Sequence, residues 1–97
     1  MKQELILEQL EELAEKLSIK VQYEDLKKAG IKLRGGSCRV EDENRIIIDK
    51  RLRINEKVEI LANELSKLNL ENVYIPPRIK SILGIEENDE AVKESPQ

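Results

Sequence analysis

The chain has 97 residues and a mass of 11.2 kDa, which is the size of one small domain. Apolar residues make up 39% of it and the only aromatic residues are two tyrosines, so the core must be built from Ile, Leu and Val. The absence of histidine excludes a Ser-His-Asp or Cys-His catalytic centre and, with a single cysteine, leaves no ordinary zinc ligand set. No apolar run approaches the length of a membrane span, and the acidic N-terminal segment is unlike a signal peptide. We expect a cytoplasmic protein with no cofactor and no membrane partner.

The net charge of −3 conceals a separation of charge along the chain. Residues 1–26 hold three Lys/Arg against seven Asp/Glu, and residues 54–97 hold five against nine. Residues 27–53 hold nine Lys/Arg against four Asp/Glu and are called the basic segment below. The abundance of Glu, Lys and Ile also gives the chain a thermophile-like composition.

The first half of the chain predicts a helix, a strand and a hairpin. Apolar residues at spacings of three and four predict an amphipathic helix over residues 3–17. Alternation from Ile19 to Tyr23 then predicts a half-buried strand, and EDLKKAG a loop or one helical turn. Two further strands are predicted around 33–40 and 45–50, joined by a polar turn at 41–44. Because three consecutive isoleucines at 46–48 make both faces of the last strand apolar, we expect it in the middle of the sheet or at a subunit contact.

The second half predicts helices. Asn55 is a suitable N-cap for an amphipathic helix that ends near residue 68. Residues 73–75 should be extended before two prolines, and Pro77 can open a short helix that Gly84 closes. The pattern predicts a single α+β domain over residues 1–84, with a small antiparallel sheet of about three strands packed against two main helices and a short C-terminal helix. Residues 85–97 are almost devoid of apolar side chains and are expected to form a disordered acidic tail.

The segment IIIDKRLRINEKVEILANELSKL resembles the zinc helix and preceding strand of the ImmA/IrrE-type metallopeptidases. In that family the helix reads like LAHELGHL, within the H-E-x-x-H motif, and here Leu61 to Leu68 reads LANELSKL. With the upstream order of helix and small sheet, the resemblance covers residues 1–70 and implies a metallopeptidase-like scaffold. The whole chain is also similar to a group of short bacterial proteins of uncharacterised function, through LEELAEKL, RGGSCRV, IIIDKRL and VYIPPRIKSIL.

The departures from that motif exclude the family's chemistry. Asn63 and Lys67 stand where the two zinc-binding histidines would be, and a lysine ammonium repels a metal ion. Without a metal to acidify a bound water, Glu64 is an ordinary carboxylate. We therefore expect no catalytic residues, no metal ligands and no peptidase activity.

The polar side of this helix is nevertheless unusual. Glu64 is expected to pair with Lys67 or Lys57, as on any exposed helix face. Ile60, however, falls on the polar side with Asn63, Glu64 and Lys67, opposite the apolar stripe. An isoleucine there suggests that something packs on this face, which we call the degenerate-site face. Residues 73–83 are the nearest candidates for its cover, followed by a second subunit or a partner protein.

The basic segment suggests a second kind of site. Cations on one side of the hairpin would form an anion-binding surface composed of Arg34, Arg39, Arg45, Lys50, Arg51 and Arg53. The simpler interpretation is a solvated strand face whose arginines pair with the acidic helices, and the acidic balance and scarcity of aromatics favour it. Cys38 alternates with Arg39 in a strand and is expected to be a small buried residue.

Three functional hypotheses follow. The first is a non-catalytic cytoplasmic protein that acts through protein contacts on a zinc-less metallopeptidase-like scaffold, with a homodimer or an unknown protein as partner. The alternative is a nucleic-acid-associated protein that uses residues 27–53. The third is an enzyme that uses Glu64 with an unrecognised second group.

Overall fold

The computed structural model describes residues 2–85. The elements follow in the order α1 (Gln3–Lys16), β1 (Ile19–Glu24), β2 (Gly35–Val40), β3 (Glu43–Asp49), α2 (Ile54–Ser66) and α3 (Pro77–Leu83). This is a small α+β fold, as the sequence predicts. The expected tail lies outside the described residues except for Ile85, which packs half-buried against the core and donates its N–H to the carbonyl of Lys80 at 2.9 Å. Among residues 2–85 no helix is both long and apolar enough to cross a bilayer.

The sheet is mixed, so the expectation of a purely antiparallel sheet is wrong. The strand order is β1-β3-β2, with β2 and β3 forming an antiparallel hairpin and β1 running parallel to β3. The connection over residues 25–34 is long enough to carry the chain past the position of β3 before β2 begins. Alternation in β1 predicts which face is buried, but it does not predict the neighbouring strand. The central position expected for β3 is confirmed.

The two faces of the sheet differ in cover. On the helix face, α1 packs on β1, and α2 packs on β3 and β2. Ile46 and Ile48 of β3 are buried there against the helices, at 2% and 0% exposure. The opposite face, called the open face, carries Ile47 and is partly covered by the 25–34 connection, where Leu26 is buried. The main core therefore lies between the sheet and the helices, and its members are Ile6, Leu7, Leu10, Leu13, Ala14, Ile19, Ile46, Ile48, Val58, Leu61, Ala62, Leu65, Ile75, Ile79 and Leu83.

Three local details differ from the sequence prediction or refine it. The hairpin turn consists of Glu41 and Asp42 alone, with φ of 49° and 69°, which is the backbone sign required by a two-residue type I′ turn. Helix α2 begins before Asn55, because the Glu56 carboxylate accepts the N–H of Arg53 at 3.0 Å and makes that residue the N-cap. The short helix α3 ends at Gly84 in the left-handed region, φ 80°, as expected.

Candidate functional site

Ile60 of the degenerate-site face lies against the edge strand β2. A Cβ added at Gly35 would stand 3.2 Å from Ile60 Cγ2 and 2.6 Å from the carbonyl oxygen of Ile47. Position 35 therefore requires glycine, because α2 and β3 approach it too closely for a side chain. The expected cover, residues 73–83, lies against α2 and α1, with Ile79 and Leu83 buried in the core. A strand of the protein's own sheet thus meets Ile60.

Glu64 pairs with Lys67, as expected for an ordinary helix residue. The Lys67 Nζ lies 3.4 Å from Glu64 Oε2. The Glu64 side chain is only 13% exposed, whereas that of Lys67 is 61% exposed. Asn63 is exposed, and its carbonyl accepts the Ser66 hydroxyl at 2.7 Å. The carboxylate is consequently held beside a cation within a groove.

That groove lies between the C-terminal half of α2 and the β2–β3 hairpin. It has a volume of about 370 Å³, within the range of small-ligand and side-chain sites. Glu64 and Lys67 belong to the degenerate-site face, and Arg39 and Arg45 to the expected anion-binding set. The structure brings Glu64 and Lys67 close to Arg39 here, whereas the Arg45 side chain turns to the open face and bonds Gln22. The groove is lined by Ile19, Ser37, Cys38, Arg39, Asn44, Arg45, Ile46, Glu64, Lys67 and Leu68.

The six cations of the expected anion-binding surface do not share one face of the hairpin. Arg39 is in register with Asn44, so Arg39 lies on the helix face and Arg45 on the open face. Lys50, Arg51 and Arg53 lie in the connection between β3 and α2. Four of the six have carboxylates within 4 Å, in the pairs Arg34–Glu56, Arg34–Glu59, Arg39–Asp42, Arg45–Glu43 and Arg51–Asp25. These carboxylates offset much of the positive potential that the sequence suggests.

The residues that could carry metal or thiol chemistry are dispersed. In the part of the chain that the structure describes, no group of three or more His, Cys, Asp or Glu side chains is placed to hold a metal ion. Cys38 is exposed, and the expectation that it is buried is wrong. Cys38 lies on the edge strand β2 with its side chain on the open face. The helices pack on the opposite face, so the thiol remains accessible.

Sequence reasoning missed an acidic groove at the other edge of the sheet. It lies between α1 and β1, has a volume of about 790 Å³, and is lined by the carboxylates of Glu8, Glu11, Glu12, Glu15 and Glu43 together with residues of β1. The sequence pattern that could have predicted this groove is the recurrence of glutamate every three or four residues in α1. This spacing places the carboxylates along one side of the helix.

Tyr23 is one of the residues that line the acidic groove. Its hydroxyl donates a hydrogen bond to the Glu11 carboxylate, and the Lys57 ammonium lies 5.3 Å from the centre of its ring. Burial, followed by this hydrogen bond and the charge of Glu11, raises the pKa of Tyr23 far above its ordinary value. Tyr23 therefore ties α1 to the edge of β1 in its neutral form.

The outer edge of β2 is different in character. All of its residues from Ser37 to Val40 are exposed. Ile31, Leu33 and Val40, three of the large exposed apolar residues among residues 2–85, lie in or beside this strand, at 44%, 67% and 39% exposure. Within residues 2–85 no strand pairs with the outer edge of β2, and apolar side chains border it. This combination is suited to contact with another chain.

No protein-family model, curated protein or solved structure matches the chain. The resemblance to the ImmA/IrrE-type metallopeptidases therefore stays a prediction from residues 1–70.

Proposed function

We propose that this is a non-catalytic cytoplasmic protein that acts through protein contacts on a zinc-less metallopeptidase-like scaffold, and that it works as a homodimer. The observation that carries the proposal is the exposed edge of β2 with Leu33 and Val40 beside it. Edge strands of stable monomers are usually covered or carry charges that prevent pairing. This one reads GGSCRV, and its single charged residue, Arg39, lies 3.5 Å from the Asp42 carboxylate.

The chemistry of the degenerate-site face supports a role without catalysis. Glu64 has an ammonium group at 3.4 Å, where a metal-dependent mechanism needs a cation-binding ligand. Protein contact is the function that the exposed edge and the groove beside it serve best.

Site-specific photocrosslinking in cells of the source organism tests the proposal. A photoreactive amino acid in place of Leu33, beside the β2 edge, should give discrete protein adducts. The matched control replaces Tyr74, which is 72% exposed but distant in the chain from β2, and it should give none. Absence of adducts at residue 33, or zinc-dependent peptide hydrolysis by purified protein that holds one equivalent of zinc, would contradict the proposal.

A further inference from the structure

The outer edge of β2 presents the backbone groups of every second residue. The N–H of Asp49 donates to the carbonyl of Arg34 at 2.8 Å, which fixes the phase of the β2–β3 ladder. Because bonding alternates along an antiparallel pair, the N–H and C=O groups of Gly35, Ser37 and Arg39 point away from β3. No strand among residues 2–85 pairs with them. These three residues are therefore available to hydrogen-bond with an added strand.

A second copy of β2 fits this edge in antiparallel orientation. With Ser37 on a two-fold axis, the two Ser37 residues exchange backbone hydrogen bonds, and Gly35 of each copy lies opposite Arg39 of the other. Gly35 has no side chain, so no like charge stands directly opposite the arginine. On the open face, Gly36 of each copy lies opposite Cys38 of the other. The small cysteine side chain therefore faces a residue that has no side chain and has open space around it.

The helices also fit together in this arrangement. Helix α2 covers β2 and β3. Helix α1 packs beside α2 and covers β1, so the side of α2 away from α1 faces the β2 edge. In each copy the axis of α2 lies between β2 and β3, about half a strand spacing from β2. With the two β2 strands side by side, the two α2 helices would lie about two strand spacings apart, or roughly 10 Å. This is close to the ordinary distance of about 8–10 Å between packed helices. Two copies would therefore form a six-stranded sheet covered by four helices.

The charges on α2 are complementary under the same two-fold axis. The side of α2 that faces away from its apolar stripe carries Glu56 and Glu59 near the N-terminus, Asn63 in the middle and Lys67 at the C-terminal end. Ser37 is roughly 6.6 Å along β2 from Gly35, and Asn63 is roughly 4.5 Å along α2 from the Ile60 that contacts Gly35. The axis at Ser37 consequently passes α2 within about 2 Å of the level of Asn63. Antiparallel α2 helices then bring Lys67 of one copy beside Glu59 of the other.

We infer that the β2 edge, with the adjoining side of α2, is the homodimer interface of this protein, and that Ser37 lies on its two-fold axis. This inference rests on the proposed function and names the partner as a second copy. The β1 edge is unsuited to the same role, because self-pairing there would bring together the carboxylates of two acidic grooves.

Sedimentation analysis of purified protein with Ser37→Pro and Ser37→Thr tests the interface. Proline at an outward-facing edge position removes the central hydrogen bonds of the dimer but none of the β2–β3 ladder, whereas threonine retains the N–H. The wild type and Ser37→Thr should be dimers, and Ser37→Pro should raise the dissociation constant at least tenfold with an unchanged circular dichroism spectrum.

A cysteine variant covers the case in which Ser37→Pro fails to fold. In a Cys38→Ser background, Ser37→Cys should form a disulfide-linked dimer, because its Cα is expected about 5.5 Å from its symmetry mate. Arg39→Cys in the same background should not, since the two residues would lie about 13 Å apart along the strands. Equal cross-linking at both positions, or a dimer whose dissociation constant does not change in Ser37→Pro, overturns the proposed interface but leaves the proposed function.

The oligomeric state of the wild type separates the dimer from the proposed function. A monomer that gives adducts with other proteins at residue 33 overturns the dimer alone. A monomer that gives no adducts overturns both the dimer and the proposed function.

Discussion

The two edges of the sheet have opposite chemistry. Along β1, helix α1 supplies a row of carboxylates and the Tyr23 hydroxyl is tied to Glu11. Along β2, most of the exposed residues are small or apolar. The two exposed cations, Arg34 and Arg39, are paired with carboxylates of the same chain. An edge strand is protected from unwanted pairing when like charges surround it. We therefore regard β1 as the protected edge and propose β2 as the edge used for contact.

The largest effect is expected from Gly35→Ala. The added Cβ would meet the Ile47 carbonyl oxygen at 2.6 Å, a contact with backbone that cannot move without displacing β3. We expect the free energy of unfolding to fall by about 2–3 kcal/mol in urea titrations at fixed protein concentration. Gly36→Ala is the matched control, because nothing lies within 4 Å of its added Cβ. Equal losses at the two positions would contradict the close packing of α2 on β2.

At the β1 edge, Tyr23→Phe removes the hydrogen bond to Glu11. We expect a loss of about 1.5 kcal/mol in the free energy of unfolding at neutral pH, because the acceptor is charged. The folded-state pKa of Tyr23 is raised, so its contribution is complete below the unfolded value of about 10 and is lost as pH rises beyond it.

Urea titrations of the wild type between pH 8 and pH 11 check this sign. Wild-type stability should decline above about pH 10, and the Phe variant should lack that part of the decline. A wild type and variant with parallel pH profiles would show that Tyr23 contributes no proton linkage.

The charge complementarity of α2 can be tested by reversal. Lys67→Glu should weaken dimerisation about tenfold, because it faces Glu59 of the second copy in the proposed interface. The double variant Glu59→Lys/Lys67→Glu should recover most of that loss, as reciprocal charges are restored. Arg78→Glu on α3 makes the same change in net charge away from β2 and should leave the dissociation constant unchanged. If the double variant does not recover affinity in sedimentation experiments, Lys67 does not face Glu59 of the second copy.

The smallest effect is expected at the hairpin tip. Asp42 has a φ of 69°, which costs an ordinary residue about 1 kcal/mol and glycine almost nothing. Asp42→Gly should therefore raise the free energy of unfolding by up to about 1 kcal/mol, whereas Asp42→Ala should not. Equal stability of the two variants in urea would contradict a left-handed backbone at this position.

Strong local patterns predicted much of this fold. The three isoleucines of β3 predicted a central strand, and Pro77 with Gly84 predicted the limits of α3. The parallel pairing of β1 with β3 could not be predicted, because alternation at Ile19 to Tyr23 defines a buried face and not a neighbour. The two-residue turn was missed since Glu41 and Asp42 lack the Asn-Gly signal of such turns.

The candidate site was predicted less completely than the fold. Helical spacing placed Ile60 on the polar side of α2 and showed that it needed a cover. That cover is Gly35, twenty-five positions earlier in the chain, and only the packing of α2 on β2 brings the two together. The cations of the expected anion-binding surface do not lie on one face. The register of β2 with β3 places Arg39 and Arg45 on opposite faces of the hairpin, and this register could not be read from the sequence.

Amide hydrogen exchange measured by NMR at low and high protein concentration tests the difference between the two edges most directly. The N–H of Lys50 donates to the carbonyl of Glu24, so alternation leaves the amides of Val21 and Tyr23 pointing outward from β1. We predict that the outward amides of Ser37 and Arg39 become protected as concentration rises, while those of Val21 and Tyr23 exchange at a constant rate. Exchange at β2 that is fast and independent of concentration, as at β1, would contradict the account.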